Sequence, residues 1–322
     1  MKILITGVAG FIGFNFAKHL LQKKYEVFGI DNFDNYYSVK FKFLRIKELK
    51  KSKNFFFKKI DITNVVQLKN FFKNKKFDFI FHFAAQAGVR YSLINPKKYL
   101  KVNKHGFENI VSNIKKNKNL KTFFYASSSS VYGSRKKFPS SEKIKLLPQS
   151  IYARTKVGNE ILAKKISKKT SFNLIGLRFF TVFGEWGRPD MLIYKYLKSV
   201  FDKKSKFYLN NYGNHVRDFT YIYDVTQILY KLLNIKFKKN NTVINICSNN
   251  PIKITKILDH INRYFKKKPV INKRSFQKAD VKKTHGSNLK IKKISNKRRF
   301  TDLKLALSNT CFWFKNNSKL FI

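Results

Sequence analysis

The sequence is short of cysteine, proline and, above all, acid. Two cysteines, Cys247 and Cys311, stand among 322 residues, too few for a disulfide framework and without the spacing of metal ligands. A reducing cytoplasmic setting and no structural metal are therefore expected. Six prolines and no Gly/Ser-rich or repetitive tract leave nothing to mark a linker. No apolar run approaches the ~20 residues that a membrane-spanning helix needs. "MKILITG" enters a strand without a charged leader and apolar core, so a soluble protein with no secretory signal and no membrane partner is expected. Asp and Glu total 17 against 69 Lys and Arg, a formal charge of +52.

Such a charge ordinarily points to nucleic acid, because clustered cations release phosphate counterions. Its pattern argues otherwise. Only 11 of the basic residues are Arg, the type suited to bidentate phosphate contacts, and the lysines are scattered with Asn, Phe and Ile through every segment. All four types are encoded by A/T-rich codons, so compositional drift accounts for the charge and nucleic acid is not an expected partner. The densest basic stretch, Arg263 to Arg299, is where one would bind.

What the sequence has is a long alternation of β-rich and helical segments. "KILIT" (2–6) leads through "GVAGFIG" into "FNFAKHLLQKK", with apolar positions at helical spacing. "YEVFGID" and "FFFKKIDIT" read as strands ending at Asp31 and Asp61, a helix follows near 64–74, and "FDFIFHFAA" is a run typical of a strand buried on both faces. Helical stretches near 97–117 and 152–168 flank "KTFFYASSSS", and "FNLIGLRFF" supplies a sixth strand. The expected class is α/β: a Rossmann-like, doubly wound parallel sheet. After Thr181 the pattern loosens, then "RDFTYIYDVTQILYKLL" and "NTVINIC" read as a helix and strand returning to the sheet. This predicts a domain over 1–180, with 216–247 returning to it, and a smaller, discontinuous C-terminal cap over 181–215 and 248–322 that binds substrate.

Gly7, Gly10 and Gly13 occupy the first βα turn, where glycines permit a tight turn, close approach to a pyrophosphate and close helix packing. Asp31 ends the second strand 18 residues after Gly13, placed to accept from both adenosine ribose hydroxyls and to repel a 2′-phosphate, so NAD is expected over NADP. Asp61 either touches the adenine edge, itself or through Ile62, or simply caps its strand.

"SIYARTK" puts Lys156 one helical turn from Tyr152. A free phenol, pKa ~10, is about one-thousandth ionised at neutral pH. Turning it into a base means lowering that value by about 3, and one nearby ammonium lowers it by ~1–3. The pair alone is borderline, and in a lysine-rich chain it also reads as chance.

Taken together, "GVAGFIG", "GIDNFDNYY", "HFAAQAGVRYS", "YASSSSVYG", "YARTK", "LRFFTVFG" and "VRDFTYIYDV" resemble, almost end to end, the extended short-chain dehydrogenases/reductases of the nucleotide-sugar epimerase and dehydratase group. "AAQAGVRYSLINP", "SSSSVYG" and "GRPDM" are most similar to the UDP-glucuronate 4-epimerases within it. The resemblance implies bound NAD, a UDP-sugar substrate and a homodimer formed by the helices near 97–117 and 152–168. It makes Tyr152 the general base, Lys156 the residue that binds the nicotinamide ribose and lowers the phenol's pKa, and Ser128 the bridge between sugar hydroxyl and phenol. The oxidised nicotinamide ring would be the second cation. Phe11, Ile12, Asn32, Ile62, Phe83, Ala84, Ala85, Gln86, Asn103 and Phe179 would complete the cofactor site. Arg188 and Arg217 match positions that hold the diphosphate, and Asp280 one that reaches the uridine ribose. Dehydratases of the group carry Asp-Glu where Ser129 and Ser130 stand here, since elimination needs an acid/base pair. The expected reaction is thus hydride transfer alone: 4-epimerisation through a 4-keto sugar. Thr181, with Ser127 and Ser129, would hold the sugar carboxylate, with Arg90 as a second candidate; Thr181 reads equally as a capping hydroxyl. The alternatives are a 4-epimerase of neutral or N-acetylated UDP-hexoses and a non-catalytic NAD- or nucleic-acid-binding protein.

Overall fold

A computed structural model describes residues 1–321 except 74, 116, 238, 239, 278, 279 and 298. In chain order, β1 (Lys2–Thr6) leads to α1 (Phe11–Gln22), β2 (Glu26–Asp31) to α2 (Val39–Leu49), and β3 (Phe55–Lys59) to α3 (Val65–Phe72). β4 (Phe79–His82) precedes α4 (Tyr91–Ile94), α5 (Pro96–Tyr99), a π-helical turn (Leu100–His105) and α6 (Gly106–Ile114). β5 (Thr122–Ser128), α7 (Ile151–Ile166) and β6 (Asn173–Phe179) follow. The rest comprises β7 (Thr181–Phe183), α8 (Leu192–Phe201), β8 (Phe207–Asn210), β9 (Val216–Tyr221), α9 (Ile222–Leu232) and β10 (Asn241–Ile246). Last come β11 (Pro251–Lys253), α10 (Ile254–Phe265), β12 (Ile271–Arg274), α11 (Leu289–Ser295) and α12 (Leu303–Asn316).

Seven strands form one parallel sheet in the order β10-β6-β5-β4-β1-β2-β3, the doubly wound topology the alternating segments predict. Strand periodicity divides the core in two. Ile3, Ile5, Phe81 and Phe124 join one cluster, whereas Leu4, Ile80 and Phe123 join the other on the opposite face. Each such fully buried side chain contributes about 1.5–3 kcal/mol. Helices α1 and α9 pack together on the first face, and α3 and α6 on the second.

The strand order reverses between β1 and β4, opening a crevice at their C-terminal ends. Two small sheets lie beyond, β11-β9-β7 and β12-β8. Among the described residues no helix is long and apolar enough to cross a membrane.

Two local expectations are corrected. "RDFTYIYDVTQILYKLL" does not read as one helix: Val216–Tyr221 is a strand pairing with β7 and β11, and only Ile222–Leu232 is helical. Its β-branched and aromatic residues favour the extended form once strand partners exist on both sides. The segment between Asp31 and Asp61, assigned no helix from the sequence, contains α2, whose N-cap Ser38 accepts from the Phe41 amide and whose Phe41, Ile46 and Leu49 face the core.

Candidate active site

The crevice begins at the glycine turn. Gly7 has φ +70°, and a Cβ there would lie 2.6 Å from the Ala84 amide nitrogen. At Gly13 a Cβ would lie 2.4 Å from the Gly7 carbonyl oxygen, so both positions exclude a side chain. Gly10 caps α1 without a side chain, and the helix's first turn holds no acid, leaving its amides open to an anion. At the end of β2, Asp31 is buried and accepts from the amides of Ala9 (3.1 Å) and Phe33 (2.8 Å). Burial raises its pKa, with Lys42 and those amides opposing. A cradle that a Cβ would fill, open helix amides and a buried carboxylate beside them fit a dinucleotide.

Gly7, Gly10, Phe11, Ile12, Gly13, Asp31, Asn32, Ile62, Phe83, Ala84, Ala85, Gln86 and Phe179 all line one cavity with Ser127, Ser128, Tyr152, Lys156 and Arg188. Two residues assigned to the cofactor stand behind its wall. Asp61 is occupied in capping the turn after β3, accepting from the Thr63 amide (2.7 Å) and the Asn32 side chain (3.0 Å). Burial raises its pKa, but those bonds outweigh it and hold the carboxyl below its ordinary range. Asn103, in the π-helical turn, pins Gln86 from behind: its side chain accepts from the Gln86 amide (2.7 Å) and donates to the Gln86 carbonyl (3.1 Å).

Tyr152 enters the cavity from the first turn of α7, where the Ser150 hydroxyl caps the helix by accepting from the Ala153 amide at 3.1 Å. Lys156 is buried and donates to the Ala126 carbonyl at 2.8 Å, its Nζ 5.8 Å from the Tyr152 ring centre. The phenol's pKa is raised by burial, and its opponents are the Ser128 hydroxyl and the charge of Arg188. The ammonium turns to a carbonyl, and Arg188 is the cation that favours the phenolate. Burial draws the Lys156 amine down to about 8, opposed by Glu160.

The serines divide. Ser128 bonds Ser130 (3.1 Å), while Ser127 donates to Glu160 Oε1 (2.6 Å) and has no proton left for a ligand carboxylate. Ser129, opening the short 3₁₀ turn after β5, and Thr181, half-buried at the start of β7, do not line the cavity; Phe180 and Val182 do.

Arg90 and Arg217 gather about Asp280. Arg90 grips Asp280 through two bonds, Nε–Oδ1 at 3.0 Å and Nη2–Oδ2 at 2.6 Å, and the His215 Nε2 lies 3.6 Å from the same carboxylate. Arg217 donates to the carbonyls of Val216 (2.9 Å) and Lys282 (3.1 Å); burial lowers its pKa to about 10 while Asp280 opposes. Arg188 is in a different place, ion-paired to Asp190 at 2.6 Å and over the rings of Tyr36 and Tyr37. The two arginines assigned to the diphosphate thus have different partners.

Sequence reasoning missed the cavity residues Tyr36, Tyr37 and Lys42, and Arg45 behind them. Lys42 is buried beside Asp31 and Asp34; burial lowers its pKa and the two carboxylates oppose. The Ser38 cap followed by helically spaced apolar residues was the available signal. Glu160 and Arg178 were also missed. Glu160 continues the Tyr152 and Lys156 stripe by one further turn, but a buried ion-pair partner on another strand leaves no local trace.

Residues 3–247 match the NAD dependent epimerase/dehydratase family. The chain is 36% identical over 326 residues to a UDP-glucuronate 4-epimerase of Thermodesulfobacterium geofontis, covering 98% of this chain and 97% of that one. It is 37% identical to the protein CapI of Staphylococcus aureus over 89% of this chain and 90% of that one. The crystal structure of the Bacillus cereus UDP-glucuronic acid 4-epimerase with UDP-glucuronic acid and NAD superposes with a TM-score of 0.90 at 30% identity, covering 98% of this chain and all of that one.

Proposed function

The chain belongs to the NAD dependent epimerase/dehydratase family, and from that premise we propose that it interconverts UDP-glucuronate and UDP-galacturonate by NAD-dependent inversion at C4, through a 4-keto sugar. One observation carries the reading: Ser128, Tyr152 and Lys156 meet on the wall of the cavity that the glycine turn and Asp31 build. The glycine turn and the open end of α1 would hold the pyrophosphate of NAD, and Asp31 the adenosine ribose. When bound, NAD supplies the acceptor and later the donor of the C4 hydride.

The chain's own residues manage the proton and the geometry. Tyr152 takes the proton of the 4-hydroxyl across Ser128, whose hydroxyl can donate to one oxygen while accepting from the other. Lys156 and Arg188 favour the anionic phenol against its burial. Ser129 and Ser130 supply no carboxylic acid to protonate a leaving hydroxyl, so elimination lacks its acid/base pair. Asp280, in the cap over 181–215 and 248–322, and Arg217, in the returning segment 216–247 beside it, take the UDP end. Arg188, beside the phenol, faces the diphosphate and sugar. The Ser127 hydroxyl is engaged by Glu160 and Arg90 by Asp280, which leaves Thr181 and Ser129, next to the lining residues Val182 and Ser128, as the remaining candidates for the sugar carboxylate. Exposed Leu100 and Ile161 on the helices near 97–117 and 152–168 support a homodimer through that face, which light scattering tests.

Incubation with UDP-glucuronate, UDP-glucose and UDP-N-acetylglucosamine, with products read by mass and proton NMR, tests the reading. A C4 epimer formed from UDP-glucuronate is expected. Epimerisation of a neutral or N-acetylated hexose in its place would overturn the assigned sugar. No turnover with any of them, alongside nucleic-acid binding of steep salt dependence, would overturn the enzyme.

A further inference from the structure

Directly behind the reacting groups lies a charge pair that the proposed chemistry does not use. Glu160 sits one turn beyond Lys156 on α7, and Arg178 projects from β6; both are buried. The guanidinium grips the carboxylate with two bonds, Nε–Oε1 at 2.9 Å and Nη2–Oε2 at 2.6 Å. Oε1 also accepts from Ser127 at 2.6 Å, and Ser127 immediately precedes Ser128 on β5. On its far side Arg178 donates to the Tyr132 hydroxyl (2.9 Å), which donates to Asn245 on β10 (2.6 Å). One carboxylate therefore joins α7, which carries Tyr152 and Lys156, to the end of β5, which carries Ser128.

We propose that Glu160, oriented by Arg178, is a positioning residue that fixes Ser128 against Tyr152 and keeps Lys156 cationic; the inference rests on the epimerase reading above. A buried ion pair costs desolvation free energy and is weak evidence of stability, so its placement here calls for a use. Lys156 is buried, and its ammonium is bonded to the neutral carbonyl of Ala126. Around it are Tyr152 on its own helix, Ser127 and Ser128 on β5, and His82 on β4, which burial holds neutral with its pKa near 3. The hydroxyl of Tyr125 is buried, and that of Tyr132 is bound to Arg178. Among the described residues Glu160 is the anion that acts on the Lys156 amine, opposing the burial that lowers its pKa. The same carboxylate, by holding Ser127, sets the register in which the next residue meets the phenol.

The test removes both charges together, because Glu160→Gln alone would strand a buried guanidinium. In E160Q/R178Q, NAD affinity and UDP-glucuronate turnover are measured against pH beside the wild type. Without Glu160 the Lys156 ammonium is disfavoured further, so its loss moves from near pH 8 towards neutrality. The pH above which NAD binding weakens is expected to fall by about one unit or more, and kcat by roughly tenfold at pH 8 with a smaller loss at pH 6. E160D keeps the charge but withdraws it by one methylene, and is expected to show a smaller shift in the same direction, readable even if the double variant does not fold. Unchanged pH profiles in a folded variant would overturn the proposal. The NAD titration reads Lys156 whatever sugar the enzyme accepts. A wild type that ignores UDP-glucuronate therefore overturns the functional reading alone.

Discussion

At the C-terminal edge of the sheet, the cofactor end of the cavity is shaped chiefly by backbone: two glycines that admit no Cβ, open amides of α1, and Asp31 held by two more amides. The cluster around Asp280 is made instead of side chains, with Arg90, His215 and Arg217 about a single carboxylate, and the Arg90 side chain is half exposed. The difference is one of preorganisation. The first region is rigid before any ligand arrives, because sheet hydrogen bonds and core packing fix it. The second is held by side-chain charges paired with one another about Asp280. A single fold thus combines one region shaped by backbone with another shaped by side-chain charge, and the proposed function assigns the first to the cofactor and the second to the UDP end of the substrate.

That contrast can be broken at either end, and the largest effect is expected between them. Tyr152→Phe removes the proton acceptor shared by both halves; kcat should fall by about 10²–10⁴ while NAD affinity stays near wild type, as equilibrium binding and turnover together would reveal. Gly13→Ala comes next, since its Cβ would meet a carbonyl oxygen at 2.4 Å. A loss of about 1–3 kcal/mol in stability is expected with weakened NAD binding, and an unaltered melting temperature would count against a rigid cofactor end. Arg217→Gln should weaken UDP binding by roughly 10- to 100-fold, the scale of hydrogen bonds to a charged group, and leave NAD affinity alone. A parallel fall in both affinities would erase the distinction between the regions. The smallest effect is expected from Thr181→Ala: the 4-ketone of the intermediate lies β to the sugar carboxylate, and such acids lose carbon dioxide readily, so losing one restraining hydroxyl should raise carbon dioxide release relative to epimer by a few-fold, the scale of one neutral hydrogen bond. Equal ratios in product analysis would remove Thr181 from carboxylate restraint.

How far the sequence could be read follows the same division. The β1–turn–α1 unit and the Tyr152–Lys156 offset were legible because each is written in consecutive residues with a period or a spacing. Phe81 and Phe124 announce themselves as buried strand residues, and the parallel sheet followed. Strand β9 was misread, because its partners β7 and β11 lie far off in sequence and supply the hydrogen bonds that choose extended over helical form.

By itself, then, the chain's order of residues determined the doubly wound sheet, the dinucleotide cradle and the presence of a tyrosine, a lysine and a serine suited to hydride chemistry. Tertiary structure decided which charges act on them. The Ser128 hydroxyl and Arg188 oppose the burial that raises the phenol's pKa, Glu160 opposes the burial that lowers that of Lys156, and Ser127 is claimed from behind. The reason is physical: local patterns are set by φ/ψ preference and side-chain period, which act over a few residues. The protonation state of a buried group depends instead on desolvation and on charges brought within a few ångströms from distant strands.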